Sequence, residues 1–299
     1  MKIGVVGLDT SHSPMFTKML NDSEHEYHIP GFRVIGAYPG GSEAFSLSRN
    51  RVRGYTEELR AGGVRMYDSI PGLVRDVDAV LLESVDGSQH LEQFRQMAVG
   101  KPVFVDKPFA TSTADAQAIV DLADKTGTPL MSSSSLRYAA GIADLVAEGE
   151  KVVCCEAFGP AAILEDYPGL FWYGIHSAEM LFAFMGQGCR AARCIEFPAM
   201  DVVIGQWQDG RQGILRGTRF EKGPFGCVVH TDQGVRMGVA KTRPTYYSLL
   251  MEQIAEFFKT GTPPIDIQET LNIIAFLQAA NQSKAQGGQV IAIAYSQIR

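Results

Sequence analysis

The sequence predicts an α/β chain. A doubly wound parallel sheet occupies residues 1–136, and an α+β part with a mostly antiparallel sheet occupies 137–299. Three observations carry this. Apolar strand-like runs alternate with helical segments through the first part, which requires parallel pairing through right-handed crossovers. Short strand candidates then follow one another with hairpin turns between them. Two amphipathic helices close the chain.

Lys2–Leu8 is a nearly unbroken apolar run, as in a strand buried on both faces. Ser11 to Leu20 reads as a short helix with Phe16, Met19 and Leu20 on one side. Phe32–Tyr38 and Ala79–Ser84 read as the next strands. Ser88 caps a helix carrying Leu91, Phe94 and Met97, and Gly100 ends it. Pro102–Val105 and Thr128–Ser134 are strands around a helix from Thr113 to Lys125. In the second part Lys151–Phe158, Arg190–Phe197, Val202–Gln208, Arg211–Arg219 and Gly226–Ala240 are strand candidates. Asp209-Gly210 and Asp232-Gln233-Gly234 supply turns. Tyr247–Thr260 places Leu250, Ile254, Phe257 and Phe258 on one helical face. Asp266 to Glu269 has the form of a capping box ahead of Leu271, Ile274 and Leu277, and Gly287-Gly288 ends that helix.

The 299 residues carry 27 basic and 33 acidic side chains, a net charge of −6. That balance offers no nucleic-acid footprint. The one basic cluster, Arg49 to Arg53, is too short for a duplex-binding surface. No run reaches the roughly 20 apolar residues of a membrane helix, and Met1–Leu8 lacks the long apolar core of a signal peptide. Five cysteines without paired spacing read as reduced thiols, so a cytoplasmic location is expected.

A strand running into a turn and a helix is where a Rossmann fold grips a dinucleotide, normally with G-x-G-x-x-G. Here the turn reads Gly7-Leu8-Asp9-Thr10-Ser11-His12. Gly7 matches the first glycine, while Asp9 and His12 replace the other two. Asp9 either crowds a pyrophosphate at the helix N-terminus or caps the helix and points away. Thr10, Ser11 and Ser13 offer hydroxyls to a phosphate. The second strand ends at Tyr38 without the acid that binds an adenine ribose. With Ser42 nearby and Arg49, Arg51 and Arg53 downstream, the cofactor expectation tilts toward NADP over NAD.

Val103-Phe104-Val105-Asp106-Lys107-Pro108, following Ala98-Val99-Gly100-Lys101-Pro102, resembles the "AGKHVFVEKP" signature of the glucose–fructose oxidoreductase / inositol dehydrogenase (Gfo/Idh/MocA) family, with Asp106 for Glu. His90, the pair Arg137-Tyr138, and the stretch from Gly261-Thr262-Pro263-Pro264 to Ala279–Ser283 agree with family features in the same order. The resemblance implies a Rossmann domain and an open-faced antiparallel sheet, and NAD or NADP acting on sugars, inositols or related polyols. It makes Gly7 through His12, Tyr38, Ser84, His90, Asp106 and Lys107 the expected cofactor contacts. Lys107 is expected to bind substrate and orient the nicotinamide. The family's Asp-x-Gly-x-His motif matches Trp172-Tyr173-Gly174-Ile175-His176, which retains His176 but has Trp172 in place of Asp.

Oxidising a secondary alcohol needs a hydride acceptor and a base for the hydroxyl proton. His176 suits the base, and the Lys107 ammonium would stabilise the developing alkoxide. Glu179, one helical turn on, either orients His176 or is a plain surface acid. Arg137, Trp172 and Tyr173 are expected substrate contacts. The stretch Tyr167 to Tyr173 either stacks on a sugar ring or packs in the core.

No metal is expected. Asp9, His12, His90, His176 and Glu179 offer ligands, and His176-x-x-Glu179 has compatible spacing, but no tight motif such as HExxH is present. The expected partner is a carbohydrate-like small-molecule substrate, with no nucleic acid and no membrane. A homodimer or homotetramer through the second sheet is expected. The leading reading is an NAD(P)-dependent oxidoreductase. The altered loop, the missing ribose acid and the missing catalytic Asp motivate a second, a redox-neutral or ligand-binding protein on the same scaffold.

Overall fold

The computed structural model describes residues 1–294 apart from Glu221. The chain divides into two compact units. The first comprises Met1–Ala110, Ala114–Ser133 and Tyr247–Ile267; the second comprises Thr111–Thr113, Ser134–Tyr246 and the chain from Gln268 onward.

The first unit runs β1 (Lys2–Val6), α1 (His12–Asn21), β2 (Arg33–Tyr38), α2 (Ser46–Ala61), β3 (Arg65–Met66), α3 (Ile70–Asp76), β4 (Ala79–Leu82), α4 (His90–Arg95), β5 (Val103–Val105), α5 (Thr113–Thr126) and β6 (Leu130–Ser132). Its six strands are parallel, in the order β3-β2-β1-β4-β5-β6. Every residue of β4 and β5 is buried, as is β1 beyond Lys2. That explains their near-continuous apolar character, since helices cover both faces of such a sheet. The order reverses beside β1, and doubly wound sheets bind ligands at that point, outside the carboxyl ends of the strands.

Between Tyr38 and Ala79 the sequence signalled no element, yet the structure holds α2, β3 and α3 there. Their signals are weak for physical reasons. Helix α2 buries Ser48, Thr56 and Leu59 and has no apolar stripe, and β3 is two residues long. A further difference concerns α7 (Tyr246–Thr260), which chain order assigned to the second part. Tyr247 packs on His12 and Phe16 (ring centroids 4.7 and 6.2 Å), and Lys259 Nζ lies 5.6 Å above the Phe32 ring. This helix therefore belongs largely to the first unit.

The second unit contains β7 (Val152–Pro160), α6 (Gly174–Met185), β8 (Cys189–Phe197), β9 (Met200–Trp207), β10 (Gln212–Thr218), β11 (Gly226–Thr231), β12 (Gly234–Val239), α8 (Ile267–Ala285) and β13 (Ile291–Ala292). Its sheet has the order β12-β11-β7-β10-β9-β8-β13. β10 pairs with β7 in parallel; the other pairs are antiparallel. Helix α6 covers one face. Under it, Trp207 packs against Phe182 (5.3 Å between ring centroids) and donates Nε1–H to the Gly186 carbonyl (2.9 Å), and Phe182 meets Phe276 of α8 at 5.6 Å. Along β9 buried residues alternate with half-exposed ones, so Val202 and Ile204 lie on the opposite face. Met237, 72% exposed, stands opposite Val228 in register.

All five cysteines are free thiols, and burial pushes Cys189 up to about 12. Among the described residues no helix is long and apolar enough to cross a membrane.

Trp207 is 1% exposed, so Trp207→Ala should cost about 3–5 kcal/mol of stability by leaving a cavity and an unpaired carbonyl. Urea unfolding of the two proteins measures this. A loss below about 1 kcal/mol would show that the site collapses around the change.

Candidate functional site

In the first unit the turn after β1 is built around Gly7, at φ +90°. A Cβ there would lie 2.3 Å from the Ser84 backbone nitrogen, so only glycine fits. Ser13 donates to the Gly7 carbonyl (2.8 Å). The Gly7 and Leu8 amides donate to the Tyr38 and Pro39 carbonyls (3.0 and 2.7 Å). The chain after β2 is thereby drawn onto this turn.

Asp9 is fully buried. Its Oδ2 accepts from Ser48 Oγ of α2 (2.6 Å) and its Oδ1 from the Val85 amide after β4 (3.0 Å). Its pKa is raised, because burial outweighs those two hydrogen bonds. Asp9 is therefore neither the cap of α1 nor a carboxylate facing outward; it pins three segments together from inside. A second clasp repeats the pattern. Ser42 Oγ donates to Asp86 Oδ2 (2.6 Å), and the Ser42 amide donates to Ser48 Oγ (2.7 Å). Ser88 donates to Asp86 Oδ1 through both Oγ and its amide (2.7 and 3.0 Å).

His90 is also buried. Its two ring nitrogens lie 3.1 and 2.8 Å from the Phe109 and Ser84 carbonyls, which ties the chain after β5 to the chain after β4. Of the residues Gly7 to His12, Ser11 is exposed and the rest are buried; Thr10 Oγ1 faces the His12 amide at 3.4 Å. Two of the three arginines that favoured NADP have other partners. Arg49 donates to the Glu43 carbonyl, and Arg53 pairs with Glu57 (3.0 Å).

His12, Glu83 and Asp106 meet at the carboxyl ends of β1, β4 and β5, all three buried. His12 Nδ1 lies 2.9 Å from Asp106 Oδ2 and 3.7 Å from Glu83 Oε2. Lys107 Nζ lies 3.6 Å from Asp106 Oδ2. Burial pushes Asp106 up, but His12 and Lys107 outweigh it and hold it below the usual carboxylate range. Glu83 moves the other way, raised first by burial and then by the Asp106 charge.

In the second unit His176 sits in the first turn of α6, with Nδ1 2.7 Å from Ser134 Oγ. Tyr173 and Phe225 place ring centroids 5.4 and 5.5 Å from the imidazole, both edge-on. Phe225 reaches this position because Gly159 lacks a side chain; a Cβ on Gly159 would lie 2.1 Å from the Phe225 ring. Arg137 is bracketed by Glu179 (3.0 Å) and Glu269 (2.5 Å). Burial would lower the arginine, but the two carboxylates raise it above its ordinary value. Burial raises Glu179, and Arg137 offsets part of that.

Several expectations change. Glu179 does not hold His176; it is spent on Arg137, and Ser134 takes its place. Arg137 is held between two acids, so its guanidinium serves the framework. Tyr167 and Phe171 are core residues, whereas Trp172 is half-buried and Tyr173 exposed. Of the five ligand candidates weighed, His12 is the one found in a three-residue cluster, and its partners are Glu83 and Asp106. No local signal marks Ser134, which lies in a serine run, or Phe225.

A doubly wound sheet with a glycine turn at its switch point defines a dehydrogenase-type nucleotide-binding domain. Residues 1–134 match the Gfo/Idh/MocA model, described as an oxidoreductase family with an NAD-binding Rossmann fold. An inositol 2-dehydrogenase of Klebsiella pneumoniae is 30% identical over 121 residues, 35% of this chain and 36% of the relative. That match thus spans about a third of the relative's length. A 1,5-anhydro-D-fructose reductase of Ensifer adhaerens is 25% identical over 212 residues, 64% of this chain and 62% of that protein. Among solved structures, GenD2 from gentamicin A biosynthesis in complex with NAD superposes with a TM-score of 0.78 at 16% identity, covering 98% of this chain and 96% of that one. The myo-inositol dehydrogenase from Lactobacillus casei, in complex with NAD(H) and myo-inositol, gives 0.73 at 15% identity over 98% and 97%. These two likenesses show the fold.

The Asp9 carboxylate stands where the fingerprint has its second glycine, and the Ser42–Asp86 clasp joins the chain after β2 to the chain after β4.

The raised Asp9 yields a pH prediction. An unfolded Asp titrates near about 3.9, so the folded state holds this proton more tightly. The stability linked to Asp9 is then fully present below that value and is lost as pH rises through the folded value. Asp9→Asn keeps an acceptor for Val85 and a donor for Ser48 but carries no charge. At about pH 7.5 the variant should melt at or above wild type, and the difference should fall away toward pH 4. Melting curves across that range test it, and a variant markedly less stable at neutral pH overturns it.

Proposed function

We propose that the chain is an oxidoreductase acting on a hydroxyl-bearing small molecule of the sugar, inositol or polyol class, with NAD or NADP as partner. In this reading His176 is the general base and Lys107 orients the substrate. The observation that carries it is the His176 setting. Ser134 on Nδ1 fixes the ring, so Nε2 takes the substrate proton. Tyr173 and Phe225 give the imidazole an apolar flank of the kind that stacks on sugar rings. The named activities of the Klebsiella and Ensifer relatives, on an inositol and an anhydrosugar, support the substrate class.

A second reading rests on the clasped crevice. Here the chain performs redox-neutral acid–base chemistry on the same class of substrate. Titration of the purified protein with NADH and NADPH, read by energy transfer from protein to nicotinamide, separates the two. Micromolar binding of either, with turnover of a polyol or oxidised sugar, supports the dehydrogenase. Absence of binding by a folded protein overturns it and favours the second.

Under either reading His176→Gln should lower turnover about 10²–10⁴-fold with the circular dichroism spectrum unchanged. Lys107→Ala should abolish it. Full turnover in either variant removes that residue from the reading.

The half-exposed apolar face of the second sheet supports assembly into a homodimer or homotetramer, since such a face is normally buried between copies. Sedimentation velocity at micromolar concentration should show an oligomer, and Ile204→Glu should yield monomers. A monomeric wild type would remove this face as the interface.

A further inference from the structure

We infer that His12, Glu83 and Asp106 form a site for one divalent first-row transition-metal ion of the Zn²⁺ or Mn²⁺ class. The three come from segments that the parallel sheet forces together. His12 opens α1 just after β1. Glu83 follows β4 and donates its amide to the Val6 carbonyl (2.7 Å). Asp106 follows β5 and donates its amide to Leu82 (2.8 Å). One nitrogen and two carboxylates converge there, with one ligand atom from each within 4.8 Å of the others.

The independent observation is a lack of partners. Both Glu83 carboxylate oxygens are buried with no hydrogen-bond partner, while Asp106 has the His12 ring beside it at 2.9 Å. The two acids are 0% exposed and His12 is 3% exposed. Buried charges are ordinarily paired, hydrogen-bonded or bound to a metal, because water no longer solvates them. The protein's own cations fall short. Lys107 Nζ stands 3.6 Å from Asp106, outside hydrogen-bond reach, and among the described residues Glu83 has no ion-pair contact beyond His12 at 3.7 Å. Asp9 adds further negative charge near Glu83.

The spacing suits a metal. With ligands about 2.0–2.2 Å from the ion, neighbouring ligand atoms lie roughly 3.0 Å apart in octahedral and 3.4 Å in tetrahedral coordination. The separations of 2.9 and 3.7 Å bracket those values. Imidazole with carboxylate selects Zn²⁺, Mn²⁺ and their neighbours over the all-oxygen sets of Ca²⁺ and Mg²⁺. A metal here stands against the expectation of none drawn from sequence. The inference holds whichever substrate class is correct.

The test uses the full-length, tag-free protein. Metal content is measured as purified, then after dialysis against chelator and titration with Co²⁺, Zn²⁺ or Mn²⁺. The expected result is one ion per chain, a visible Co²⁺ d–d absorption, and a melting temperature raised by the metal. Glu83→Gln should weaken binding at least about 10-fold, since a ligand and its charge are lost. The chelated variant should also melt above the chelated wild type, because an orphaned carboxylate is gone. A folded wild type with no bound metal and no metal-dependent melting overturns the inference, and this arm needs no variant. Equal binding by wild type and Glu83→Gln also overturns it, by placing the ion elsewhere.

Discussion

The burial of one carboxylate, Asp9, is the constraint on which the first unit's ligand-binding edge depends. An ionisable group with no exposed surface must find donors inside the protein. Asp9 finds them in Ser48 on α2 and in the amide of Val85 after β4. Those two partners belong to different segments, so satisfying one side chain fixes α2 and the chain after β4 relative to the glycine turn. Ser42 and Asp86 fasten the same segments a second time, and His90 fastens the next. A region that the family match marks for a cofactor is in this chain knit together by its own polar side chains.

The second unit reaches its arrangement by a different route, through space left by a missing side chain. Gly159 on β7 leaves room for Phe225 to lie against the sheet. Phe225 then stacks toward Tyr173, with ring centroids 6.4 Å apart, and meets His176 edge-on. Alongside, Arg137 pairs with both Glu179 and Glu269, so α6 and α8 share a buried ion triad. Breaking one partner of such a triad leaves an uncompensated charge in the core. The triad thus specifies how those two helices approach.

The parallel first sheet and the mostly antiparallel second sheet were legible because they rest on apolar periodicity, which local sequence records directly. Helix α2 was not, since its buried face is Ser48, Thr56 and Leu59, and a polar sequence conceals a helix held by hydrogen bonds. Lys107 and His176 were singled out by motif. The partner of His176 was not legible, because Ser134 is 42 residues distant and nothing local distinguishes it from its serine neighbours. Glu179 illustrates the converse. Its position one turn after His176 is correct in spacing, yet helical spacing says nothing about a stronger competitor arriving from elsewhere. Arg137 offers a full charge, and it prevails over an imidazole.

The two polar clusters differ in one respect that separates framework from function. Around Arg137 both carboxylates are hydrogen-bonded to the guanidinium, which is how a buried network stabilises a fold. Around His12, Glu83 and Asp106 the two basic groups within reach, His12 and Lys107, lie closest to Asp106, and neither Glu83 oxygen has a hydrogen-bond partner. Both clusters share burial, so burial alone does not distinguish them. Satisfaction does. A satisfied network is complete as a structural element, whereas an unsatisfied one carries a cost that folding tolerates when something else binds there. By that criterion the Arg137 triad belongs to the scaffold, and the His12 cluster is the part of the first unit left open for a ligand.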